Sequence, residues 1–401
     1  MASIVQRNKS YAVVYSEKLE GGSKQKWETY HSKEEAENRK WEIENAVPFL
    51  GIPPKLSSLS DLIKEYIYTY GEIRWSYSSY TIRISLINRY ILPQIGNLKL
   101  STINGRLLSR YFHKLYGLKP IDSKHKPSKT DILTGSTVYD IYKLLRSIFN
   151  QAVIWGVYNE SPLKSVTIPK HISATRNILS MDQIKQIVSI ATNQNTMLSI
   201  AIQLAFVGSL RKGEILALCW DDIDFEGGFV NVRKELIRVS VKSINSVASQ
   251  KVIHVFPTQS SKCNTRLVFK IPKTPASIRK VFLPEALLRM LLCWKKEQED
   301  KILSKLYNLI FTEGKGLPLQ TEWVNKHFDK LLIEHNFPKV VFHSLRHSST
   351  TYKLLISGGD LKSVQSDNGH VKPDMVLNVY ARIQDEQRRE MALQMEKAFY
   401  A

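Results

Sequence analysis

Apolar and polar positions alternate from Ser3 to Tyr15 and again from Lys24 to Tyr30, with Gly21-Gly22 between them as a turn signal. A charged stretch of helical pattern follows. Ser32 stands as its N-cap, with Glu35 three residues on as capping-box partner. Residues 1–50 are therefore expected to form a small sheet packed by one helix, before Pro53-Pro54 breaks the chain. From 57 to 165 the period lengthens to that of a helix. Leu59, Leu62, Ile63, Tyr66 and Ile67 mark a first helix. Tyr80, Ile82, Ile84, Leu86, Ile87 and Ile91 mark a second, closed by Pro93 and Gly96. Leu107 to Leu115 predicts a third helix. Val138 to Val157 predicts a fourth, striped by Leu144, Leu145, Ile148, Phe149 and Val153. A Lys-rich loop with a proline, Lys119 to Lys129, joins the last two. Residues 165–177 read as a linker. Beyond it, helices are expected at Asp182–Ala191, Thr196–Phe206 and Pro284–Lys296, and strands at Gly228–Val232, Val252–Phe256, Leu267–Ile271 and Val281–Leu283. The polar, hydroxyl-rich stretch from Glu235 to Lys270 reads as an extended β-insertion.

Composition adds a partner class. The 401 residues leave room for two or three domains, and a hydrophobic share of 43% supplies a core. The formal net charge is +20, from 57 Lys and Arg against 37 Asp and Glu. Such an excess points to a polyanion, because counterion release favours binding to a phosphate backbone; a merely soluble basic protein is the plainer alternative. The helical segment 57–165 carries 15 Lys and Arg against 7 Asp and Glu, which suits a clamp over duplex DNA. The Lys119–Lys129 loop either touches DNA or is a solvated connection. Cys219, Cys263 and Cys293 form neither a disulfide framework nor a metal-spaced cluster, which suits a reducing cytoplasm. No signal core or membrane-length apolar run stands out, so a soluble intracellular protein is expected.

The candidate chemistry lies in the second half: Arg211, Lys273, His343, Arg346, His370 and Tyr380. In-line attack on a phosphodiester gathers negative charge on the non-bridging oxygens. Arg suits that charge, since its planar fork bonds two oxygens and keeps its proton. Arg211 follows Gly208, which is placed just before a helix whose N-terminus also attracts phosphate. His343 and Arg346, three apart, share a helical face. His347 is four on from His343, but Ser344 stands where a zincin has Glu, so a metal site is not expected. Gly369-His370 forms a turn that ends a helix, and Tyr380 comes ten residues on. Each residue alone is more often surface or packing; as a set they supply charge stabilisation, proton transfer and a nucleophile.

These residues resemble the boxes of the tyrosine recombinases, the phage-integrase family. Gly208 to Glu214 resembles the Gly-x-x-Arg-x-x-Glu box. His343 to His347 matches His-x-Leu-Arg-His. His370 and Tyr380 match Leu-Gly-His followed by Tyr, with Asn368 where Leu is usual. The segment Pro272-Lys273-Thr274 to Pro284 looks like the family's β-hairpin lysine, with Lys262, Lys270 and Lys280 as rivals because of the insertion. Leu92 to Ile103 and Leu145 to Val153 are similar to the core-binding domain. Residues 1–50 resemble the three-stranded arm-binding domain of phage and conjugative-transposon integrases.

The resemblance implies a multidomain α+β protein. It would have an arm-type DNA-binding domain at 1–50, a helical SAM-like core-binding domain at 57–165 and a mainly α catalytic domain at 174–401. It implies Tyr380 as nucleophile forming a 3′-phosphotyrosyl link, Arg211 and Arg346 as transition-state ligands, and Lys273 as general acid. His343 would accept the tyrosine proton and His370 would bond the phosphate, with no metal and no cofactor. Expected partners are double-stranded DNA at core and arm sites and three further copies, in a homotetramer built by exchange of the tail Asp385 to Tyr400. An excisionase and a host DNA-bending protein complete the set, in the bacterial cytoplasm at the nucleoid. Three rivals remain: a type IB topoisomerase, a chromosome-dimer resolvase, and a DNA-binding regulator with an inactive site. The arm-like N-terminus opposes the first two and the complete constellation opposes the third.

Overall fold

The computed structural model describes residues 2–7, 10–19, 22–44, 55–121, 130–169, 179–246, 252–258, 263–272, 274–299, 306–312, 316–369 and 384–400. By internal contacts the chain divides into two units. One comprises residues 1–75 and 82–171, the other 76–81 and 172–401.

In the first unit, the alternating stretch Ser3 to Tyr15 contains two strands of the three-stranded sheet that the resemblance implied. β1 (Ser3–Arg7) and β2 (Ser10–Leu19) pair antiparallel with Arg7 opposite Ser10, and β3 (Gly22–Tyr30) completes the sheet in the order β1-β2-β3. The alternation could not reveal the reversal, because the pattern continues across it. Val13 and Tyr15 face the helix Lys33–Glu44 and pack on Ala36. Ser32 Oγ accepts from the Glu35 N–H at 3.1 Å, as a cap should. Next to this small core lies a polar knot. Arg39 pairs with Glu28 at 2.8 Å, and the phenols of Tyr15 and Tyr30 both donate to Glu28 at 2.7 Å.

The helical part of this unit follows its pattern. The helix Leu59–Tyr66 opens with a full capping box between Ser58 and Asp61 and buries Leu59, Leu62, Ile63 and Tyr66. The helix Gly105–Tyr116 opens on Asn104, and Gly135–Ile154 on Thr134. Pro93 does not close the helix that begins at Tyr77. A π turn over Ile87–Ile91, with the Leu92 N–H bonded to Ile87 O, carries the chain past the proline to Ile95. The wider turn accommodates the ring that a regular helix would clash with. Most of the linker and most of the Lys119–Lys129 loop lie outside the described residues.

The second unit is a helical core flanked by two small antiparallel sheets. Helices Met181–Gln194, capped by a Ser180–Gln183 box, and Thr196–Phe206, capped by Asn195, form its first hairpin. Strands β4 (Ile223–Asp224), β5 (Phe229–Val232) and β9 (Arg279–Phe282) make one sheet. The insertion makes the other, in the order β6-β8-β7: β6 (Glu235–Ser240), β7 (Val252–Val255) and β8 (Thr265–Lys270). It is not all extended, since Val241–Ser246 is a short helix after β6. Helices Glu285–Glu299, Thr321–Glu334, Ser344–Ile356 and Leu361–Asn368 complete the core. Ile202, Leu204, Leu216, Leu291, Phe311, Phe328 and Leu345 bury together at its centre. No described helix is long and apolar enough to cross a membrane.

Candidate active site

Arg211 begins the short helix Lys212–Leu216, as its N-cap. The Arg211 N–H donates to Glu214 Oε2 at 2.9 Å, and its guanidinium reaches Glu214 Oε1 at 2.6 Å. The motif Gly-x-x-Arg-x-x-Glu is thus a capping arrangement in which the acid holds the arginine by backbone and side chain together. Gly208 does not open this helix; it closes the preceding one. A Cβ on Gly208 would stand 2.8 Å from Leu204 O, closer than real contacts allow. Ser209 takes the left-handed conformation, φ 52°, and the Leu210 N–H returns to Leu204 O at 3.1 Å. A serine at positive φ is uncommon. Here it is fixed on two sides: its Oγ is 2.5 Å from Ser349 Oγ, and its carbonyl accepts from Arg346.

Arg346 lies in the first turn of the helix Ser344–Ile356 and is 2% exposed. It donates to Ser209 O and to Asn368 O. Burial and the neighbouring Arg211 push its pKa down to about 9. His343 is the N-cap of the same helix, and its ring stands edge-on to His347 with centroids 4.9 Å apart. The spacing from His343 to His347 therefore makes an aromatic contact. Among the described residues no group of three or more His, Cys, Asp or Glu could hold a metal.

The helix Leu361–Asn368 ends on Gly369, which is left-handed at φ 57° and leads into His370. Arg211 donates to Gly369 O at 3.3 Å. Asn368, at the position where leucine is usual, is fully buried, and its Nδ2 donates to Thr350 Oγ1 at 3.0 Å. The departure is partly matched: the helix carrying Arg346 offers the Thr350 hydroxyl to the amide nitrogen, while Asn368 Oδ1 is buried with no hydrogen-bond partner among the described residues. Arg211 and Arg346, 135 positions apart in sequence, are thus brought against one turn. Lys273, His370 and Tyr380 lie outside the described residues, as does the rival Lys262. Lys270 is paired with Glu235 at 2.5 Å, and Lys280 lies over the Phe229 ring at 4.1 Å.

Sequence reasoning passed over several residues here. Arg279 opens β9 and grips Glu214 at 3.0 Å, with both side chains almost wholly buried. Burial alone would raise the Glu214 pKa, but Arg279 and Arg211 together hold it low. Lys353 pairs with Asp367 behind the turn. Around the site four cations, Arg211, Arg279, Arg346 and Lys353, face two carboxylates, Glu214 and Asp367. Arg279 stands in the segment quoted above for Lys273, so it was visible, but nothing in one sequence says which residue of a strand turns toward a distant glutamate.

The phage integrase family model matches residues 177–387, more than half of the chain, and the phage integrase N-terminal SAM-like domain matches residues 58–116. A tyrosine recombinase XerC-like protein of Caldanaerobacter subterraneus subsp. tengcongensis is 26% identical over 373 residues, covering 89% of this chain and 88% of the relative. The ICEBs1 integrase of Bacillus subtilis is 24% identical over 268 residues, 65% of each chain. The solved Tn1549 transposon integrase in complex with transposon right end DNA matches with a TM-score of 0.63 at 19% identity, covering 86% of this chain and 100% of that one. A lambda integrase dimer bound to a core site matches with a TM-score of 0.52 at 18% identity, covering 94% and 93%. These two structures share the fold of mostly helical units with small antiparallel sheets. The chain belongs to the phage integrase family, the tyrosine recombinases that cleave and rejoin DNA at specific sites.

Proposed function

We propose that this protein integrates and excises a phage or conjugative element, cutting and rejoining DNA through a covalent link to Tyr380. The observation that carries the reading is the surplus of positive charge at the Arg211–Arg346 turn. A buried guanidinium whose pKa falls to about 9 beside a second one is an arrangement that a phosphate would relieve. The Tyr380 oxygen attacks phosphorus, and the bond from phosphorus to the 5′ oxygen breaks. Lys273 gives that oxygen its proton and His343 takes the proton of the phenol, while His370 bonds the phosphate. The link stores the energy of the broken bond, so resealing needs no ATP. The pairing of Lys270 with Glu235 and the seat of Lys280 on Phe229 favour Lys273 over those two lysines.

Residues 174–401 would then do the chemistry, 57–165 would close over the core site, and 1–50 would bind arm sites. Arg7 over the half-exposed Trp27 ring, at 5.1 Å, gives the small sheet a cationic and aromatic surface suited to DNA. A lambda integrase tetramer has been solved bound to a Holliday junction, and it matches this chain with a TM-score of 0.53 at 17% identity. By that analogy the protein works as a homotetramer on DNA, and exchange of its tails would join the copies. The exposed Met391, Leu393, Met395 and Phe399 of the helix Gln384–Phe399 support such a docking. An excisionase, a host DNA-bending protein and residence at the cytoplasmic nucleoid complete the proposal.

The test uses nicked duplexes carrying the boundary sequences of the DNA element that holds this gene. The parent chain forms a covalent protein–DNA adduct. Tyr380→Phe binds the same duplex and forms none; an adduct in that variant would remove Tyr380 from the mechanism.

A further inference from the structure

Three consecutive carbonyls end the helix Leu361–Asn368 and its turn, and each accepts from a different arginine. Arg279 Nε donates to Asp367 O at 2.8 Å, Arg346 to Asn368 O, and Arg211 to Gly369 O at 3.3 Å. Carbonyls at a helix C-terminus lack intrahelical donors and carry the negative end of the dipole, so cations are favoured there. Two of these arginines belong to the recognised boxes. The third, Arg279, does not.

Arg279 has a second grip. Its guanidinium meets Glu214 at 3.0 and 3.3 Å, and its side chain is 6% exposed. Arg211 meets the same carboxylate from the other side and is 31% exposed. One carboxylate thus lies between an inner and an outer guanidinium. A single negative charge cannot neutralise both. Coulombic attraction is stronger away from water, so the inner arginine takes most of it. The outer arginine keeps its surplus where a ligand can reach it. The turn is also closely seated on this segment: a Cβ on Gly369 would lie 3.1 Å from Ala276 O and 3.2 Å from Arg279 Cδ.

We propose that Arg279 is a positioning residue for strand cleavage, which compensates Glu214 from behind so that Arg211 stays positive toward the scissile phosphate, and which anchors through Asp367 O the turn that leads to His370. This rests on the reading of Arg211 as a phosphate ligand. Without Arg279, Glu214 pairs with Arg211 alone and draws its charge inward. A purely structural bridge makes a different forecast: removing one buried partner leaves an unpaired charge and removing both relieves it, so loss and rescue would appear in the thermal midpoint in step with the rate, whereas a positioning role moves the rate at a nearly constant midpoint.

The experiment measures the rate of covalent adduct formation by the full chain on the nicked boundary duplexes, with DNA affinity and thermal midpoint recorded for each variant. Arg279→Gln lowers the rate about 100-fold, as loss of a transition-state donor does, with affinity within about threefold of the parent. Adding Glu214→Gln keeps an acceptor for the Arg211 N–H and removes the charge, and the rate rises about tenfold above that of Arg279→Gln alone. Arg279→Lys keeps the compensating charge without the fork and falls between parent and Arg279→Gln. A folded, DNA-binding double variant as slow as Arg279→Gln overturns the proposal. Should Arg279→Gln not fold, the double variant and Arg279→Lys decide: both keep more than about a tenth of the parent rate, and both falling below about a hundredth while still binding DNA overturns it. Arg211→Gln is the separate control. An adduct at the parent rate there would sink the phosphate reading, independently of Arg279.

Discussion

Arg346 carries its charge where a lone cation would be unstable. It is nearly inaccessible to water, and two backbone carbonyls, Ser209 O and Asn368 O, take its hydrogen bonds without neutralising it. Burial first, then Arg211, bring its pKa down from the ordinary arginine range to about 9. The sign follows from that direction. The folded state disfavours the cation, so the cost to stability is present below about pH 9 and is relieved as pH rises from there toward the ordinary arginine range. A phosphate bound at the turn would offset the same cost at neutral pH, which would couple its affinity to the burial of Arg346. The expected outcome is that adduct formation at subsaturating DNA, which reports the free enzyme, falls as pH rises through about 9. A rate still flat at about pH 10.5 would show that Arg346 keeps its proton or is not needed. Removing the fork altogether should cost roughly 3–4 kcal/mol in the transition state.

Among the elements, the N-terminal sheet depends on one carboxylate more than its size suggests. Burial by itself would raise the Glu28 pKa, but Arg39 and the phenols of Tyr30 and Tyr15 outweigh it and bring the value down to about 2. A depressed carboxylate stabilises the fold above its unfolded pKa, 4.5, and that contribution is lost as pH falls through about 2. The β2–β3 ladder should therefore remain protected from hydrogen exchange at about pH 3 in the parent, and lose protection nearer pH 4.5 in Arg39→Met. Equal protection in the two chains at about pH 3 would show that the Arg39–Glu28 pair does not hold the sheet. The helices were legible for a simpler reason. The apolar period alone places them, and Ser58, Ser180 and Asn195, each accepting from the N–H three residues on, emerge as caps only in the structure. The helix Thr196–Phe206 falls where its pattern placed it. Thr321–Glu334 gave no such notice, with Gln320 at its cap and no side-chain cap hydrogen bond.

For the whole molecule, charge and a free apolar edge set the terms of assembly. The net charge of +20 makes association with DNA salt-dependent and fast. Along the helix Gln384–Phe399, Met391, Leu393, Met395 and Phe399 are 57–77% exposed, so the described part of this helix buries little apolar surface within its own chain. Docking on a neighbouring copy would remove that surface from water. Truncation after Gln384 should leave binding to a single site near the parent level and weaken the pairing of two sites, as seen in a gel-shift assay of synaptic complexes. Full recombination by the truncated chain would rule out tail exchange.

The sequence alone determined the helical periods, the Ser32 cap, the basic excess and the order of the three boxes, because each is a local or additive property of the chain. It did not determine the two-strand reversal after Arg7, since alternation reads the same through a hairpin whose ends face each other. Nor did it mark Arg279, Lys353 or the Asn368–Thr350 pair, whose partners lie 14 to 88 positions away. Only the tertiary structure could bring three arginines onto three successive carbonyls. Hydrogen bonds and charge pairs act over a few ångströms in space, and a one-dimensional pattern carries no measure of that distance.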